Sequence, residues 1–96
     1  MKAIALACLA LSVLSAPALA APTDGQKAAF RAVCIGTIGN AELCGCEADV
    51  AMDVLDEHGM NVLIAAMNGT STPSPQDQAA YDHYLDESNR ICTSSH

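Results

Sequence analysis

Residues 40–59 read Asn-Ala-Glu-Leu-Cys-Gly-Cys-Glu-Ala-Asp-Val-Ala-Met-Asp-Val-Leu-Asp-Glu-His-Gly. At 100° per residue, Glu42, Asp49, Asp53 and Asp56 fall within one narrow arc, and Leu43, Cys44, Ala48, Val50, Ala51, Val54 and Leu55 fill a broad opposite one. This pattern predicts an amphipathic helix with Asn40 as its N-cap, running to His58 and stopped by Gly59. An apolar arc this wide predicts packing between two other helices.

The neighbouring stretches supply those helices. Over residues 26–38, Phe30, Val33, Cys34, Thr37 and Ile38 recur at i, i+3, i+4, i+7 and i+8, the stripe of a first helix that Gly39 ends. Residues 61–68 form a shorter third helix that is apolar all round, with Val62, Leu63, Ile64, Ala65, Ala66 and Met67. Such a helix is either buried on several sides or presents a contact surface, and complete burial is hard to arrange in a short chain. Val62, Leu63 and Ile64 are therefore expected to be exposed for interaction. After a polar loop at 69–73, Ser74-Pro75-Gln76-Asp77 opens a fourth helix with an N-cap, a proline at the first position and an acid at the third. Its inward face carries Tyr81, Tyr84, Leu85, Ser88, Ile91 and Cys92, and Asp82, His83, Asp86 and Glu87 point outward. Residues 93–96 are expected to form a mobile tail. No segment of useful length alternates with period two. The predicted fold is a single all-α domain, a small four-helix bundle stapled by disulfides, over residues 21–96.

The first twenty residues read as a cleavable signal peptide. Lys2 gives a positive start, a largely apolar run containing one polar residue, Ser12, extends from Ala3 to Leu14, and Ser15-Ala16-Pro17-Ala18-Leu19-Ala20 places small residues at a cleavage site after Ala20. The apolar run is shorter than the roughly 17–25 residues that span a bilayer, so no membrane insertion is expected after cleavage. Only seven residues precede Cys8, too few for a lipoprotein leader, and Cys8 departs with the signal. Export leaves 76 residues and four cysteines, Cys34, Cys44, Cys46 and Cys92. An even number in a short exported chain predicts a disulfide framework. Residues i and i+2 of a helix point about 160° apart, so Cys44 and Cys46 face different neighbours. A direct bond between them would close a strained small ring. One is expected to pair with Cys34 and the other with Cys92, and helix geometry leaves the choice open.

Loss of Lys2 moves the net charge from −7 to −8. An acidic surface disfavours nucleic acid and anionic membranes, both of which recruit basic patches, and favours a neutral or basic protein partner. Phe30, Tyr81, Tyr84 and no tryptophan leave few platforms for stacking bases.

Few motifs point to chemistry. A thiol-redox or copper-handling role would rest on the Cys44/Cys46 pair, with His58, Met52, Met60 or Met67 as further soft ligands. Against it, no spacing matches a zinc module or haem attachment, and no cofactor or metal site is predicted. The acids of residues 42–56 have no calcium-loop pattern. His83 and Glu87 lack a second histidine on their face. There is no nucleophile elbow or phosphate-binding glycine loop, so no enzyme activity is predicted.

Phe30-x-x-x-Cys34, Cys44-Gly45-Cys46 opening a helix, and Ser74-Pro75 beginning a last helix that ends on Cys92 make the chain resemble a loose group of small exported helical proteins of Gram-negative bacteria. The resemblance implies a periplasmic or secreted helical domain and brings no activity with it. The expected function is non-enzymatic binding of another protein, of inhibitor or immunity type, through Glu42, Asp49, Asp53 and Asp56 and the apolar third helix.

Overall fold

The structure, a computed structural model, describes residues 20–93. The predicted leader up to Leu19 and the tail residues 94–96 lie outside the described residues. Four α-helices follow in order, α1 (Asp24–Ile38), α2 (Ala41–Val54), α3 (Glu57–Asn68) and α4 (Gln78–Ser88), and a closing π-helical turn covers Asn89–Thr93. No strand occurs among the described residues, and the all-α, disulfide-stapled architecture is as the periodicity predicts.

Local chemistry sets the helix ends. Thr23 caps α1 by accepting from the Gln26 amide, and the Gln26 side chain answers by accepting from the Thr23 amide, a reciprocal pair that satisfies two otherwise orphaned donors. The helix therefore starts at Asp24, two residues before the start predicted at residue 26. Gly39 ends it with φ of +79°, where the absence of a Cβ lets the chain reverse at once into Asn40. Asn40 accepts from the Leu43 amide and caps α2, as predicted.

The end of α2 differs from expectation. The helix stops at Val54, Leu55 is extended, and Asp56 begins α3 by accepting from the Gly59 amide at 2.7 Å. Asp56 is thus a cap between two helices rather than a member of the outward arc of α2. Gly59 is a residue of α3, not a stop. A Cβ on it would lie 3.2 Å from Leu55 Cδ2, so the glycine makes room for Leu55 to fold back over the first turn of α3. Leu55 and Met60, the residues flanking that cap at N′ and N4, are both buried in the core, the positions of a hydrophobic staple.

The fourth helix begins later than predicted. Ser74 receives the Asp77 amide and donates its hydroxyl to the Asp77 carboxylate, which closes one turn before Gln78 starts α4. At the other end, Thr93 lies in the π-turn, with its hydroxyl bonded to the Asn89 carbonyl, rather than in a mobile tail.

Phe30 and Cys34 of α1, Cys44, Ala48, Val50 and Ala51 of α2, Met60 and Leu63 of α3, and Tyr84 and Cys92 form the core together with Leu55. The Phe30 and Tyr84 rings meet edge to face, centroids 6.2 Å apart. Helix α2 packs against both α1 and α4, the two-sided packing its wide apolar arc predicts. The core stripes of the outer helices are narrower than expected, because Ile38 is 48% exposed, Leu85 39% and Ile91 42%.

Candidate interaction surface

Helix α2 anchors both disulfides. Cys34–Cys44 joins it to α1, and Cys46–Cys92 joins it to the closing turn. Cys34, Cys44 and Cys92 are completely buried and Cys46 is half-buried. The two thiols that a redox or copper site would share are thus tied to different partners. Among the described residues no group of three or more His, Cys, Asp or Glu side chains is gathered closely enough to hold a metal ion. His58, a candidate soft ligand, lies in the first turn of α3 with Nε2 2.8 Å from Asp77 Oδ1, while Met60 is buried core and Met52 and Met67 are half-buried beside it.

With one face held in the core, α2 turns Glu42, Asp49 and Asp53 to solvent. Glu42 and Asp49 border an open groove of about 640 Å³ between α1 and α2, whose other wall carries Asp24, Lys27 and Arg31. The register of the antiparallel hairpin shows in one contact: Lys27 Nζ lies 2.8 Å from Asp49 Oδ1. Arg31 lies over the α2 backbone, its Nε 4.0 Å from where Gly45 would carry a Cβ. The groove is open and the paired side chains of Lys27 and Asp49 are 38% and 70% exposed, so their charges interact largely through water and the pair contributes little to stability.

Asp56 leaves this acidic surface for its capping role. Leu63 leaves the predicted apolar surface, because at 2% exposure it is core. Val62 and Ile64 are half-buried, with Ile64 packed against the core from its edge. The all-round apolar composition of α3 records burial against α1 on one side and α4 on the other.

Several ionisable groups depart from their ordinary behaviour. Burial raises the pKa of Glu47, whose Oε1 lies 3.6 Å from the Cys34 sulfur. The hydrogen bonds from His58 and Ser74 hold the Asp77 carboxyl below the usual range. Arg90 does the same to Glu87, three residues before it, across 2.6 Å. Burial pushes the Tyr84 phenol up. Nothing in the sequence marks Glu47 as an acid that will face a disulfide, or Asp77 as one that will receive a histidine from another helix. His58 and Asp77 also border a smaller cleft of about 190 Å³ with Val62 and Tyr81.

No described helix is long and apolar enough to cross a membrane. The two disulfides fit folding in a non-reducing compartment. Comparison with protein-family models, with curated proteins and with solved structures finds no match to this chain.

Proposed function

We propose that this chain is an exported, periplasmic or secreted helical protein that acts without catalysis, by binding a neutral or basic protein through the exposed acidic row of α2. The observation that carries the reading is the placement of Glu42, Asp49 and Asp53 on the helix that both disulfides anchor. Charge presented on a constrained helix loses little conformational freedom on binding, and an acidic surface speeds encounter with a basic partner. An inhibitor or immunity role, in which this face covers a basic cleft, is the specific form. The leader-like first twenty residues and the resemblance to small exported Gram-negative proteins support export.

The test is in-cell crosslinking in the native host, followed by binding measurements on the partner recovered. The reading expects an association rate that falls steeply between low and physiological salt, and that drops at least tenfold in E42Q/D49N/D53N, whose helices and disulfides should be intact. A partner bound equally well by that variant would refute the acidic face as the binding surface.

A further inference from the structure

The last residue of the predicted leader takes part in the fold. The Glu57 amide, first in α3, donates to the Ala20 carbonyl at 2.9 Å. The segment that follows is seated just as firmly: Pro22 is buried, Thr23 caps α1, and Gln26 Nε2 donates to the Glu57 carbonyl at 2.9 Å and to Asn61 Oδ1 at 2.7 Å. Ala20 and Ala21 lie in a notch of about 450 Å³ that Asp53, Leu55, Asp56 and Ala80 also line. An amide nitrogen sits about 2.3 Å from its own carbonyl oxygen, so the Ala21 nitrogen is within about 5 Å of the Glu57 nitrogen.

We propose that removal of the leader exchanges an acceptor for a cation at this place, and that the new α-ammonium of Ala21 pairs with the carboxylates of Asp53 and Asp56. The inference rests on the reading of Ala20 as the last leader residue. Hydrolysis breaks the Ala20–Ala21 C–N bond; water supplies the hydroxyl that leaves on the Ala20 carboxyl group and a proton to the Ala21 nitrogen, and ionisation of that new carboxylic acid supplies the further proton that makes the amine an ammonium. The Glu57 amide loses its protein acceptor to solvent. In return the cation arrives beside two acids in a notch that no basic side chain lines among the described residues. Burial of Pro22 and the Gln26 bonds keep the new terminus from swinging away. The charged and titratable groups around it are Asp53 from α2, Asp56 at the α2–α3 junction and Glu57 from the start of α3, with Asp24 of α1 three residues along the chain; α4 contributes only Ala80 to the notch. Processing thereby ties the mature N-terminus to the junction between α2 and α3.

The experiment expresses the full chain in an exporting host and purifies the processed protein, both as wild type and as D53N/D56N. Asparagine retains the capping oxygen at position 56, so the variant keeps α3 while losing the charge. Intact mass reports the first residue, and NMR titration reports the pKa of its α-amine. The expected result is a chain starting at Ala21 whose amine titrates at least half a unit above the ordinary 7.7–8.0 in the wild type and returns to about that range in the variant. A chain starting at Ala21 with the same amine pKa in both proteins overturns the ion pair alone. A different first residue overturns the leader reading, and the ion pair with it.

Discussion

Cys46 in the second turn of α2 is bonded to Cys92 in the closing π-turn, with Cα atoms 5.8 Å apart and a sequence separation of 46. The loop it closes contains all of α3 and α4. Its partner disulfide, Cys34–Cys44, spans only 10 residues. On the chain-entropy model the long loop stabilises by about 4 kcal/mol and the short one by about 2.5–3. Both are large beside the total stability of about 5–15 kcal/mol usual for a domain. Urea unfolding of C46A/C92A is expected to show a greater loss than C34A/C44A, and strong reductant should lower the melting temperature sharply. An unchanged melting temperature in reductant would contradict both bonds.

Two glycines near the end of α1 should respond to alanine with opposite signs. Gly39 has φ of +79°, where a Cβ costs about 1–2 kcal/mol, so G39A is expected to destabilise by about that amount. Gly36 lies inside α1, and a methyl group placed on it would meet nothing within 4 Å, so G36A should stabilise by up to about 1 kcal/mol. Thermal melts of the two variants give the comparison, and losses of equal size would remove the turn argument.

The break at Leu55 makes Asp56 and Asp53 unequal. Losing the Asp56 side chain removes the acceptor for the Gly59 amide, so D56A should cost about 1 kcal/mol. Asp53 is exposed and caps nothing, so D53A should change stability by less than about 0.5 kcal/mol. A single helix running through to His58 would instead leave both substitutions mild. Chemical denaturation of the two variants separates the possibilities.

Glu47 and Asp77 should move stability with pH in opposite directions. The folded pKa of Glu47 is raised, so the native state holds that proton more tightly than the unfolded chain, and the group's contribution falls as pH rises from the ordinary 4.5 through the raised value. E47Q removes a charge that burial penalises, so its melting temperature relative to wild type should be higher at pH 7 than at pH 4. The folded pKa of Asp77 is lowered, so its contribution is present above the ordinary 3.8 and is lost as pH falls through the lowered value. D77N should therefore lose stability at pH 7 and converge on wild type in strong acid. Melting curves of both variants across pH 2–7 check the two signs.

Much of the fold is legible in the sequence because apolar periodicity reports which face of a helix is buried. It predicts α1, α2 and α4 and the central place of α2. It misplaces the α2–α3 break by about four residues, because Gly59 reads as a helix stop whereas α2 ends at Val54 and Gly59 lies inside α3, where the Asp56 carboxylate caps it. Thr23-Asp24-Gly25-Gln26 carries a visible capping signature, but it lies ahead of the apolar stripe that begins at Phe30. The disulfide pairing is out of reach: Cys44 and Cys46 project to different sides of α2, and only the placement of α1 against one side assigns Cys44 to Cys34. The acidic row is legible in composition and spacing, save Asp56, whose role depends on a backbone change at Leu55. The half-buried setting of Glu47 needs tertiary packing to be seen at all.

The two disulfide loops, 34–44 and 46–92, follow one another along the chain and share no residue. A polypeptide entering an oxidising compartment N-terminus first presents Cys34 and Cys44 well before Cys92 arrives. The hairpin of α1 and α2 can close its bond while Cys46 waits for the one thiol still to come. Because the loops neither interlock nor nest, the native bonds join cysteines in the order in which they arrive, and pairing each with the next gives the native connectivity.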